Sequence, residues 1–105
     1  MKKYLILLVS VLLLPSCAWV KLTPEGEKVR VLGIDEVRNC REIGTTTSSV
    51  KADIAGIGRK ESKVREELQA LARNAAVGMN GDTIVPLGEA KDGTQVFAVY
   101  RCVNP

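Results

Sequence analysis

The sequence predicts a small α+β fold: a β-β-α-β-β two-layer sandwich, sheet order 1-2-4-3, with one helix on one face. Three observations lead there. First, Glu61 to Val77 sets Val64, Leu68, Leu71 and Ala75 at alternating steps of four and three, which is one face of a helix. Second, short runs rich in β-branched residues flank it, two before and two after. Third, Cys40 opens the second run and Cys102 closes the fourth. A bond between them lays those two strands side by side and antiparallel.

The elements follow in order. Val29-Arg30-Val31-Leu32 alternates and reads as the first strand. Gly33 to Asn39 is a polar connection carrying Asp35, Glu36 and Arg38. Cys40 to Thr47 is the second strand, where Gly44 marks a bulge or a close backbone approach. Ser48 to Arg59 reads as a loop. Its Gly56-Ile57-Gly58 is not a dinucleotide fingerprint, because Glu61 stands where the third glycine belongs. Along the helix, Ala72 and Met79 widen the apolar stripe, Ser62 is placed to cap the start, and Gly78 is placed to end it left-handed. Asp82 to Leu87 is the third strand, and Pro86 argues for an edge. Lys91-Asp92-Gly93 is a turn. Thr94 to Cys102 is the fourth strand, apolar on both faces and therefore central. The third and fourth strands form a hairpin. The second and third are then parallel with the fourth between them, and the first lies outside the second. A disulfide lying off the sheet would leave another strand order open.

The amino terminus reads as an address. Met1-Lys2-Lys3 is basic, and residues 5–14 (LILLVSVLLL) are apolar but for one serine. Ten helical residues span about 15 Å, half of a hydrocarbon core of roughly 30 Å. Residues 1–16 are thus expected to be a secretory signal peptide rather than a membrane span. Leu14-Pro15-Ser16-Cys17 resembles the bacterial lipobox, with Pro15 departing from the usual small residue. That resemblance implies cleavage before Cys17 and acylation of its sulfur and new amine, and several acyl chains make a stable anchor. An ordinary signal peptide ending by chance at a cysteine is the alternative. Ala18, rather than aspartate, resembles the default for export to the outer membrane in a Gram-negative cell. Residues 17–27 are read as the lipidated cysteine and a tether, and 28–105 as a small periplasmic domain. Trp19 and Val20 suit either the membrane interface or packing on the domain.

Cysteine arithmetic agrees. Three cysteines are odd for an exported chain; giving Cys17 to lipid leaves Cys40 and Cys102 as a pair. Their distance in sequence argues against a redox pair, and two ligands are too few for zinc.

Composition narrows the chemistry. The chain has 105 residues, 46% hydrophobic and 26% charged, and no histidine. That excludes Ser-His-Asp triads, Cys-His pairs and His-ligated metals. The formal charge is 15 − 12 = +3, and +1 once Lys2 and Lys3 are removed. A near-neutral domain does not carry a nucleic-acid footprint. No cofactor, metal or catalytic residue is expected. Glu66 and Glu67 are adjacent on the helix and diverge, and nothing pairs Glu42 with a nucleophile.

Three further stretches carry a family resemblance. They are Cys40-Arg41-Glu42-Ile43-Gly44-Thr45, residues 71–85 (LARNAAVGMNGDTIV) and Ala98-Val99-Tyr100-Arg101-Cys102. With the lipobox, they resemble the small Gram-negative lipoproteins of unknown function typified by YjeI. More remotely they resemble the periplasmic domain of the RcsF stress-sensor lipoproteins, which carry two disulfides where this chain has one pair. The YjeI-type family has no established activity, so the functional expectation comes from the anchor, the stapled small domain and the lack of a catalytic set: a non-catalytic outer-membrane lipoprotein, with membrane contact through Cys17 and an envelope protein as partner. A stress-sensing lipoprotein is the alternative the remoter resemblance implies, and a small histidine-free periplasmic enzyme is the second alternative. Asn74, Asn80, Gly78 and Gly81 have a plain structural reading, as caps and tight-turn residues behind the helix.

Overall fold

The computed structural model describes residues 20–54 and 57–105, and the leader, Cys17 and Trp19 lie outside that range. The elements are β1 (Arg30–Val31), β2 (Arg41–Ser49), β3 (Asp53–Ile54), β4 (Ile57–Gly58), α1 (Glu61–Gly78), β5 (Thr83–Pro86) and β6 (Thr94–Arg101). Two single 3-10 turns, Gly26–Lys28 and Ile34–Glu36, precede β1 and β2. Among the described residues, no helix is long and apolar enough to cross a membrane.

The class is α+β, as expected, with one helix against a mixed four-stranded sheet. The strand order is β1-β5-β6-β2. In terms of the four strands read from sequence, that is 1-3-4-2 rather than 1-2-4-3. The inner part of the expectation holds: β2 and β5 each pair antiparallel with β6, which lies between them. The first strand was misplaced. It runs parallel to β5, with the Arg30 amide donating to the Asp82 carbonyl at 3.0 Å and the Leu32 amide to the Ile84 carbonyl at 3.0 Å. The disulfide constrains only the second and fourth strands, and nothing in the sequence places the first beside the third rather than beside its sequence neighbour. In the structure the 32–40 connection instead crosses the sheet face opposite the helix and buries Val37 against Val85, Ala98 and Tyr100.

Pro86 misled for a local reason. The Leu87 amide donates to the Val96 carbonyl at 2.9 Å. Alternation along β5 therefore turns the Pro86 nitrogen away from β6, past the point where the two-residue β1 has ended. β5 is an inner strand at Thr83 and Ile84 and an edge at Pro86. Burial of Thr83, Ile84 and Val85 alike marks it as covered on both faces.

The segment read as a loop, 48–59, is more ordered than expected. β2 runs on to Ser49, and β3 and β4 then pair antiparallel as a small separate hairpin. The bulge expected at Gly44 is present: Glu42 pairs with Tyr100 and Gly44 with Val99, leaving Ile43 as the extra residue. The backbone approach is close as well, since a Cβ on Gly44 would lie 3.2 Å from the Met79 methyl.

Two layers of core result. Between helix and sheet, Val64, Leu68, Ala72 and Ala76 pack with Val29, Ile84, Phe97 and Val99. The buried stripe thus runs at steps of four, while Leu71 and Ala75, expected at its centre, are half-buried at its margin. Capping also differs from expectation. Ser62 does not cap the helix; Lys60 holds the N-cap position without a side-chain bond. The left-handed residue is Asn80, with φ 63°, and not Gly78. The Gly81 amide reaches the Ala76 carbonyl at 2.8 Å and the Asn80 amide the Val77 carbonyl at 3.1 Å. This is the paired bond pattern of a Schellman ending, with asparagine in the glycine seat. Gly81 is required next to it, because any Cβ there would collide with Val99.

Candidate functional site

Three places in the fold gather polar chemistry. The first is the closed end of the β2–β6 ladder. Arg41 pairs with Arg101, so Cys40 and Cys102 are the next opposed residues, and they are bonded with Cα atoms 4.3 Å apart. Asp82 reinforces this end. Its carboxylate accepts from the Cys102 amide at 2.8 Å, the Val103 amide at 2.9 Å and the Thr83 hydroxyl at 3.0 Å. Burial pushes the Asp82 carboxyl up, but those amides, the hydroxyl and nearby Arg101 outweigh it and hold the acid below its usual range. The sign of the linkage follows. A depressed native pKa adds stability above the unfolded value, near 3.9, which is lost as pH falls through the native value. Asp82→Ala is expected to cost about 1–2 kcal/mol at neutral pH, as charge-assisted bonds to backbone amides are removed. In urea titrations the gap between the two proteins should close progressively below about pH 4. A gap that stays constant with pH would show that the carboxylate charge is not what holds this end. On the same ladder, burial and then the Glu42 carboxylate opposite raise the Tyr100 phenol.

The second place is an open cleft of about 580 Å³ at the other end of the sandwich. It lies between the β3–β4 hairpin, the first turns of α1 and the β5–β6 connection. Arg59, Arg65, Glu61, Glu89, Asp92 and Gln95 contribute its polar lining. Arg59 fastens the hairpin to the helix. Its guanidinium meets both Glu67 carboxylate oxygens at 2.7 Å, and it also donates to the Lys51 carbonyl at 3.1 Å. The pair is well covered, with side chains 15% and 12% exposed. The Arg59 hydrogen bond holds the Glu67 carboxyl below its ordinary range. Gln95 donates to the Gly88 carbonyl at 2.8 Å, while its buried side-chain oxygen and the buried Ser48 hydroxyl have no hydrogen-bond partner among the described residues. Ser48 and Gln95 are opposed residues of β2 and β6. The cleft thus mixes both signs of charge over a polar floor, which suits a small polar molecule better than an apolar one.

The third place is the outer face of α1. Asn74 clamps the chain before β1: its amide nitrogen donates to the Lys21 carbonyl at 2.9 Å, and its oxygen accepts from the Thr23 amide at 3.0 Å and the Thr23 hydroxyl at 3.1 Å. Arg73 adds bonds to the Glu27 carbonyl at 2.7 Å and the Val29 carbonyl at 2.9 Å. Gly26 lies so close that a Cβ would collide with Asn74. Val20 and Leu22 then run beside Lys63, Glu66, Glu67 and Ala70.

The sequence-predicted residues distribute as follows. Cys40 and Cys102 are brought together. Cys17 lies outside the described residues. Glu66 and Glu67 do diverge: Glu66 is exposed, 3.8 Å from Lys63, and Glu67 is taken by Arg59. Glu42 sits on β2, at the opposite end of the sheet from the cleft. Among the described residues, no three of His, Cys, Asp and Glu are grouped as metal ligands. Sequence reasoning missed three residues: Arg59 and Gln95 of the cleft, and Asn74 as a clamp. Their partners lie 8, 7 and 51 residues away, and no local pattern encodes such pairings.

The geometry defines a small disulfide-closed α+β domain whose helix is clasped between a sheet and an N-terminal segment. The chain belongs to the family described as a domain of unknown function (DUF4156), whose family model matches residues 20–102. That match ends at the second bonded cysteine. No curated protein and no solved structure matches the chain.

Proposed function

We propose that this DUF4156 protein is a non-catalytic lipoprotein of the Gram-negative outer membrane, anchored through acylated Cys17, whose periplasmic domain is an interaction module for an envelope protein. YjeI-type membership is part of the same reading. The observation that carries it is the sulfur inventory. The fold commits Cys40 and Cys102 to one bond, which leaves Cys17, behind an apolar leader, as the one cysteine outside it. An exported protein with a free thiol is exposed to intermolecular pairing, and acylation removes that hazard. The absence of histidine from the sequence supports a non-catalytic role, as does the divergence of Glu66 and Glu67.

Cys17→Ala in the full chain is the test. The wild type should take up labelled palmitate and sediment with outer-membrane fragments, and the variant should do neither. A variant still labelled and still bound to membrane would refute the anchor at this position. Capture of an envelope partner by crosslinkers spread over the domain tests the interaction role separately, and consistent failure to recover any envelope protein would count against it.

A further inference from the structure

We infer that the domain lies on the bilayer in one fixed orientation, with the outer face of α1 and the 20–23 segment against the phospholipid headgroups and the helix-free face of the sheet turned to the periplasm. This rests on the proposal that Cys17 is acylated.

The argument starts from the length of the leash. A lipidated cysteine at 17 sits at the headgroup boundary. The chain is already fastened to the fold by Asn74 at Lys21 and Thr23, and Val20 lines a shallow cleft together with Lys63, Glu66, Glu67 and Ala70 of the helix. Two residues, Ala18 and Trp19, separate Cys17 from Val20, which makes three Cα-to-Cα steps. Fully extended, they reach at most about 10 Å, the width of one helix. A flexible tether of the full 17–27 stretch would let the domain tumble, but the Asn74 clamp removes most of that length.

The fastening point sets which face is down. Val64, Leu68, Ala72 and Ala76 turn to the sheet. Lys63, Glu66, Ala70 and Asn74 stand on the opposite side of the same helix, by its 3.6-residue period. Val20 and Leu22 line a shallow cleft on that side with Lys63, Glu66 and Ala70. The order of layers away from the membrane is therefore the N-terminal segment, α1, then the sheet. The near surface is charged and of mixed sign, with exposed Lys21 and with Lys63 3.8 Å from exposed Glu66, which suits a zwitterionic headgroup layer rather than the hydrocarbon. The far surface is different in kind. Thr45, Thr47, Leu87 and Val96 share the helix-free face by register, and Leu87 and Val96 are 49% and 39% exposed. A threonine and aliphatic sheet face held outward is the surface a periplasmic protein would meet.

The experiment uses the full lipidated chain in vesicles of phosphatidylethanolamine and phosphatidylglycerol. A photo-crosslinking side chain replaces either Lys63 or Thr47. The expected result is strong lipid adduct at position 63 and little at 47, with both proteins floating with the vesicles. Equal adducts, or more at 47, with flotation intact, would overturn the orientation. Failure to float would instead overturn the anchor reading beneath it. A second variant inserts about twelve Gly/Ser residues between Ala18 and Trp19, which should cut the adduct at 63 about tenfold while leaving flotation unchanged, because effective concentration falls roughly as the −3/2 power of leash length. An undiminished adduct would show that the short leash is not what sets the face.

Discussion

Opening the Cys40–Cys102 bond is expected to destabilise the domain by about 4 kcal/mol, from the loop entropy of a crosslink of this span. That is a large part of the roughly 5–15 kcal/mol typical of a small domain. The native state itself should change little on reduction. Both cysteines pack against the Val37, Val85, Ala98 and Tyr100 cluster, and the Asp82 carboxylate holds the Cys102 amide whether or not the sulfurs are joined. The loss therefore falls on the unfolded chain, which regains freedom over almost the whole domain. Urea unfolding with and without reductant gives the difference, and Cys40→Ala/Cys102→Ala provides an independent measure. A shift below about 1 kcal/mol would mean that the reduced unfolded chain stays compact around this ladder.

The legible part of the fold is the part with short-range encoding or a covalent constraint. The helix span, the β5–β6 hairpin and the Gly44 bulge follow from periodicity, turn residues and one glycine. The placement of β6 between β2 and β5 follows from a cysteine pair. What failed needed long-range information. β1 is only two residues long and is held by backbone bonds to the β5 segment, over 50 residues away, so no side-chain pattern announces its neighbour. Asp53–Ile54 and Ile57–Gly58 are too short to show alternation. The spacing of four, three and four draws the helix stripe through Leu71 and Ala75, yet the buried stripe runs through Ala72 and Ala76, whose small side chains pack in one cluster with Phe97 and Val99. The polar residues of the candidate sites were the least legible. Asn74 and Arg59 resemble ordinary surface residues until the fold brings a carbonyl or a carboxylate to each.

Phe97→Ala is expected to be the most damaging single truncation, costing about 3–5 kcal/mol, the range for emptying a buried aromatic site. Phe97 is the sole phenylalanine of the chain and is fully buried on the middle strand, facing Leu68, Ala72 and Ala76. Those helix residues are fixed by backbone hydrogen bonds, and two of the three are alanines with no side chain to swing into the void. The cavity should therefore stay open rather than collapse, which puts the cost toward the upper part of the range. Val96→Ala, one residue earlier, is the control. Val96 is 39% exposed on the opposite face of the sheet, and its truncation should cost within about 1 kcal/mol. Chemical denaturation of the two variants measures the alternation of β6 directly, and comparable losses would mean that the faces of this strand have been assigned wrongly. Leu68→Ala should cost about 2–5 kcal/mol and combine non-additively with Phe97→Ala, because both line one cluster and would open a single shared cavity.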